Sequence, residues 1–153
     1  MTSEENDRKI ELCHASKEYK SFFEDWKMHP YRTYLMEWDF DVSIEYWDEK
    51  EDGGMYADWD GDKVVIEPET TEEEEHLIVL DGLSTWKNKA YSAVYNMFEG
   101  FDWNQWNKEG MELARRLCSL LPEEYTVYYQ RPFEDYEHLD QPPILIGKGK
   151  ARL

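Results

Sequence analysis

The sequence predicts an α+β domain, and three observations carry that prediction. Within residues 34–47 (Y-L-M-E-W-D-F-D-V-S-I-E-Y-W), positions 36–46 alternate without a break between an apolar face and an almost wholly acidic one. Two turn signals follow, E-K-E-D-G-G at 49–54 and Asp60-Gly61, each ahead of a short β-type run. Helical three- and four-residue spacing of apolar residues then appears on both sides of this block. The implied architecture is a mainly antiparallel sheet, a three-strand meander over 34–67 plus C-terminal strands. An N-terminal helix and two or three further helices would pack on one face of it. At 153 residues the chain is expected to be one domain, 1–153, with residues 1–9 and 148–153 as flexible tails.

In chain order, Ser16 is the expected N-cap of a helix carrying Tyr19, Phe22, Phe23 and Trp26 on one side, ended by His29-Pro30. The long strand follows. Side chains alternate faces along a strand, so Met36, Trp38, Phe40, Val42, Ile44 and Tyr46 share one face and Glu37, Asp39, Asp41, Ser43 and Glu45 the other. Met55 to Asp60 and Lys63 to Glu67 read as a hairpin about Asp60-Gly61. Thr71 and Glu74 fit a capping box, while Leu77 to Leu80 fits a strand as well as a helix. Ser84 is expected to start a helix with Trp86, Ala90, Ala93, Val94 and Met97 inward, closed by Gly100. Asp102, with Gln105 three residues on, caps the next helix, whose stripe is Trp103, Trp106, Gly110, Leu113, Leu117 and Leu120. Residues 124–130 read as a strand, 132–141 as an acidic, aromatic loop, and 142–147 as an edge strand behind Pro142-Pro143.

Charge is the feature that bears on function. The formal net charge is −18, and residues 34–75 hold 17 acidic residues against Lys50 and Lys63. The rest of the chain has 18 acidic and 15 basic residues, close to balance. A field of this sign repels nucleic acid and anionic membrane and attracts basic partners or cations. Same-face carboxylates on a strand lie roughly 6.7 Å apart, so Glu37, Asp39, Asp41 and Glu45, flanked by Asp58 and Asp60, would form a ridge of like charge. Such a ridge costs stability through self-repulsion, which an ordinary mixed-sign surface avoids.

Other chemistries find less support. Asp58, Asp60, Asp62 and Glu69 fall at positions 1, 3, 5 and 12 of a calcium loop, but Lys63 stands where that loop needs glycine. Asp39 and Asp41 have the i, i+2 spacing of some phosphotransfer and metal-dependent enzymes, without a Gly-rich phosphate loop. The four histidines are scattered, and Cys13 and Cys118 lack local basic company. No cofactor is expected. The N-terminus has neither a basic nor an apolar leader region and no run approaches a membrane span, so the expected setting is the cytoplasm, with two free thiols.

The sequence therefore predicts an acidic protein-binding module, in its most concrete form an immunity protein or inhibitor occluding a basic surface such as that of a nuclease-type toxin. The expected contact residues are Glu37, Asp39, Asp41, Glu45, Asp58, Asp60 and Asp62, with Trp47, Tyr56 and Trp59 as anchors. The competing expectations are a hydrolase or metal-dependent enzyme using the clustered carboxylates, and an acidic subunit of a larger complex.

Overall fold

A computed structural model describes residues 3–29, 32–36, 55–57, 61–66, 72, 76–132 and 134–150. At its centre lies a three-stranded mixed sheet in the order β1 (Thr33–Met36), β5 (Thr126–Tyr129), β6 (Ile144–Lys148). β1 runs parallel to β5, with Tyr34 opposite Val127 and Met36 opposite Tyr129, and β6 is antiparallel to β5. A second, antiparallel sheet contains β2 (Met55–Ala57), β3 (Lys63–Ile66) and β4 (His76–Val79) in that order. The architecture is α+β, as expected from the sequence.

Two parts of that expectation are corrected. The hairpin of β2 and β3 forms, but its third strand is β4, while β1 belongs to the other sheet. Helices also cover both faces of the mixed sheet. The reason lies in alternation along β1 and β5. Tyr34, Met36, Val127 and Tyr129 face one cluster, built with Trp86, Trp106, Leu113 and Leu117. Leu35 and Tyr128 face the opposite cluster, built with Phe22 and Trp26. Strands apolar on both sides need cover on both sides, the usual setting for a parallel pair.

One cover is α1 (Ser3–Ala15) with α2 (Lys17–Met28). Ser16 caps α2, its hydroxyl oxygen accepting from the Tyr19 amide at 3.1 Å. Residues 3–9, expected as a solvated tail, are the first turns of α1. Lys9 ties them down by donating to the carbonyls of Tyr136 and Glu137. At the other end the backbone amides of Gly149 and Lys150 donate to the carbonyls of Tyr125 and Cys118, so 148–150 are held as well.

The other cover is α3 (Leu83–Val94) with α4 (Trp103–Leu120). Leu83, Trp86, Lys87 and Ala90 form the buried stripe of α3, and Trp106, Gly110, Leu113, Ala114 and Leu117 that of α4. Met97, expected inward, is 88% exposed. The rings of Trp86 and Trp106 stack with centroids 4.1 Å apart. Each indole N–H donates to the other residue's backbone carbonyl, at 2.9 and 2.8 Å. Gly110 makes this approach possible: a Cβ there would lie 2.6 Å from Trp86 Cζ2 and 2.6 Å from the Tyr129 hydroxyl oxygen. No helix among the described residues is long and apolar enough to cross a membrane.

Gly110→Ala should therefore destabilise the fold by about 1–3 kcal/mol through overpacking. Urea denaturation followed by tryptophan fluorescence measures this, and an unchanged midpoint would show that the helix pair has slack.

Candidate functional site

Of the residues the sequence marked for partner binding, Glu37, Asp39, Asp41, Glu45, Trp47, Asp58, Trp59 and Asp60 lie outside the described residues. Tyr56 is in β2, paired with Val65 of β3. Asp62 lies just before β3, and its carboxylate reaches the start of α3. Oδ1 accepts from the Ser84 amide at 2.8 Å and Oδ2 from the Gly82 amide at 3.3 Å. Gly82 sits at the N-cap of α3 in a left-handed conformation (φ 93°), with no side chain to satisfy the free amides. Asp62 supplies that cap from a distant strand, placing negative charge at the positive end of the helix. With both oxygens accepting from amides, Asp62 is a poor ligand for position 5 of the calcium loop that the sequence suggests.

Among the described residues, the richest polar cluster lies where α4, the end of β5 and the 132–141 loop meet. Asp135 is 1% exposed. Its Oδ1 bonds His138 Nδ1 at 2.8 Å, and its Oδ2 accepts from Arg131 at 3.2 Å and Asn107 Nδ2 at 3.3 Å. Asn107, also buried, donates to the Trp103 carbonyl and accepts from the Tyr129 hydroxyl at 2.6 Å. A buried carboxylate is costly unless paired and hydrogen-bonded, and this one is both. The bond to His138 pairs Nδ1 with Asp135 Oδ1, on the same carboxylate that Arg131 engages through Oδ2.

His138 lines a groove of about 470 Å³ bounded by Met97, Phe98, Phe101, Asp102, Trp103 and residues 134–138. Its aromatic wall is tight, with Phe98, Phe101 and Trp103 ring centroids 4.6 to 6.0 Å apart. The wall is positioned by two helix ends. At the end of α3 the Met97 amide donates to the Val94 carbonyl and the Phe98 amide to the Ala93 carbonyl, the bond pair of a Schellman turn. Met97 (φ 56°) takes the left-handed place that favours glycine, and Phe98 (φ 60°) follows it there. The closure by Gly100 expected from sequence thus falls three residues earlier. At the start of α4 the Asp102 carboxylate accepts from the Gln105 amide at 3.1 Å, the cap the sequence indicated.

The cysteines are placed as core thiols. Cys13 is pushed up to about 11, mainly by burial and then by the charge of Asp140. Cys118 is raised by burial as well, with Lys150 opposing. Tyr128 is also raised, by burial first and then by its hydrogen bond to Asp25. Among the described residues no group of three or more His, Cys, Asp or Glu is placed to hold a metal ion. No protein-family model, curated protein sequence or solved structure matches the chain.

Sequence reasoning passed over this groove because its parts lie on three segments. In sequence Trp103 belongs to the apolar stripe of its helix, and 132–141 reads only as an acidic, aromatic loop. The i, i+3 pair Asp135/His138 was the readable signal.

Two outcomes follow. Asp62→Ala should cost about 1 kcal/mol and weaken protection of the first turn of α3, read by thermal melting and amide hydrogen exchange. Since burial raises Cys13 above its ordinary value of 9.0, the stability of the neutral thiol is fully present below pH 9 and is lost as pH rises toward 11. The drop in melting temperature between those pH values should accordingly be smaller in Cys13→Ala than in the parent protein.

Proposed function

We propose that this chain is an acidic protein-binding domain that docks onto a positively charged surface of another protein. In its most concrete form it is an immunity protein or inhibitor that covers the basic active or nucleic-acid-binding surface of a toxin-like enzyme. The observation that carries this reading is the segregation of charge: 17 acidic against two basic residues over 34–75, in a chain otherwise near balance. Like charges held close together oppose folding, so a segment of one sign is retained at a cost to stability. An opposing basic surface turns the same field into faster encounter and partner selection.

Two features of the fold support it. The strands that bracket residues 37–54 and follow them are rooted in the core through Met36, Val64 and Leu80, all buried. Asp62, the one described carboxylate of the expected contact set, has a structural role at α3, which leaves the docking role to the other carboxylates of the segment. The inhibitor would act by occlusion, with Glu37, Asp39, Asp41, Glu45, Asp58 and Asp60 presenting charge and Trp47, Tyr56 and Trp59 supplying contact area.

The test combines capture and stability. Immobilised protein should retain a basic protein at about 50 mM salt and release it at about 500 mM, where the Debye length falls below about 5 Å. The variant Glu37→Gln/Asp39→Asn/Asp41→Asn/Glu45→Gln should lose at least about tenfold in affinity, one decade being about 1.4 kcal/mol, while its melting temperature stays level or rises. Salt-insensitive capture, or a variant that binds as well as the parent protein, would overturn the proposal.

A further inference from the structure

We infer that the trough between α2 and β6 receives a short extended segment of another polypeptide, which pairs with β6 as an added strand. The segment carries an apolar side chain for Leu145 and, two residues on, a carboxylate for Lys148. This surface is separate from residues 34–75, and the inference does not depend on the docking role proposed above.

The backbone of β6 supplies the first half of the argument. Among the described residues β6 ends the strand order β1-β5-β6, so no further strand lies along its outer edge. The pairing of β5 shows which groups occupy that edge. The Thr126 and Gln130 amides donate to the Arg32 and Met36 carbonyls, so Tyr125, Val127 and Tyr129 turn their main-chain groups toward β6. Their partners turn back toward β5, as the Gly149 amide does in donating to the Tyr125 carbonyl. The main-chain groups of Leu145 and Lys148, opposite Tyr128 and Thr126, are therefore directed outward. An outward row of this kind binds an extended peptide by β-augmentation.

Side chains supply the second half. Cross-strand partners share a face, so Leu145 and Lys148 lie on the α2 side of the sheet with Tyr128 and Thr126. α2 packs on Leu35 and Tyr128 and leaves the β6 side open, where Leu145 is 59% exposed. Two hollows lie along this gap and meet at Leu145. One, of about 650 Å³, reaches from Lys17 and Ser21 of α2 to Pro143 and Ile144. The other, of about 390 Å³, reaches from Asp25 and His29 to Thr126 and Lys148. Together they run the length of the five residues of β6, about 17 Å, which is the span of a short extended segment. The helical wall is held in place. The Thr33 hydroxyl donates to the Asp25 carbonyl at 3.1 Å and the Tyr128 hydroxyl to the Asp25 carboxylate, tying α2 to β1 and β5. A preformed trough spares the receptor the cost of ordering on binding.

Charge selects the occupant. At the Lys148 end the lining sets Arg32 and Lys148 against Asp25 and Glu124, and Asp25 accepts from Tyr128. Lys148 is exposed and makes no ion pair among the described residues. A carboxylate on the incoming segment complements it. A second copy of the chain is disfavoured, since each copy brings a net charge of −18. The bulge of β6 against β5 and the lysine on its edge are also devices that discourage pairing of like edges.

The test adds the blocked pentapeptide Ac-Thr-Val-Thr-Glu-Thr-NH2 to the full chain and follows backbone amides by two-dimensional NMR. Signals of Leu145 and Lys148 should shift with a dissociation constant on the order of 1 mM. At about 10 mM peptide, hydrogen exchange of these two amides should slow by about tenfold. Two N-methylated peptides separate strand pairing from side-chain contact, one blocked at the first, third and fifth amides and one at the second and fourth. One set should weaken binding at least about tenfold and the other less than about threefold, because only alternate amides of a strand face its neighbour. Ac-Thr-Val-Thr-Lys-Thr-NH2 should bind several-fold more weakly, and Lys148→Gln should erase that preference. Leu145→Ser, at an exposed position, should weaken the parent peptide by about three- to tenfold with its melting temperature retained.

Equal losses from the two N-methylated sets, unchanged exchange at Leu145 and Lys148, or a Leu145→Ser protein that binds like the parent would overturn the inference. So would exchange at these amides that slows with protein concentration in the absence of peptide, the mark of a second copy on the edge.

Discussion

The mutual grip of Trp86 and Trp106 is the constraint on which the described structure depends most. Two stacked indoles at 4.1 Å would give dispersion and burial in any orientation. What fixes the orientation is that each ring's N–H has one available partner, the backbone carbonyl behind the other ring. A buried indole N–H left unbonded costs on the order of 1–3 kcal/mol, so rotation or sliding of either helix is penalised twice. The pair therefore sets the register of α3 against α4, and Gly110 sets their depth against β5 by letting Trp86 and Tyr129 close over its Cα.

That register has consequences at the surface. With α3 and α4 locked, the loop between them must reverse within residues 95–102, and the Schellman turn at Met97 does so. A non-glycine residue in the left-handed region costs on the order of 1–2 kcal/mol, and here two occur in succession. The turn places Phe98 against Phe101 and Trp103, so the aromatic wall of the groove extends the tryptophan pair toward solvent, with Trp103 set edge-on to Trp106 at 5.6 Å. The polar side of the groove has the same origin. Asn107, next to Trp106 in α4, links the Tyr129 hydroxyl in the sheet to Asp135 in the loop. Core and groove are one hydrogen-bonded body.

Local signals were legible in the sequence and long-range pairings were not. Ser16 and Asp102 announce helix starts because a cap needs only a short polar side chain two or three residues from an amide. The hairpin of β2 and β3 and the edge position of β6 are similarly local. The parallel pairing of Thr33–Met36 with Thr126–Tyr129 joins segments about ninety residues apart, and no turn chemistry encodes it. It alone explains why Leu35 is buried under α2 and why helices occupy both faces. The helical character of residues 3–9 was hidden for a related reason. Their polar composition resembles a solvated tail, and Lys9 is anchored on carbonyls at 136 and 137.

The acidic segment poses the same problem in electrostatic form. A count of carboxylates gives the sign of a field, and that inference survives any arrangement of the chain. It does not separate carboxylates facing outward from those answering a need within the fold. Asp62 illustrates the difference. In sequence it is one of three aspartates around Gly61, indistinguishable from Asp58 and Asp60 by composition or spacing. In the fold it replaces the side-chain cap that Gly82 cannot provide, and its negative charge stabilises a helix it is not part of. Asp135 illustrates it again, its charge balanced by Arg131 at the base of a groove. A carboxylate with such a role in the fold, as Asp62 has, is one fewer for the docking reading to draw on.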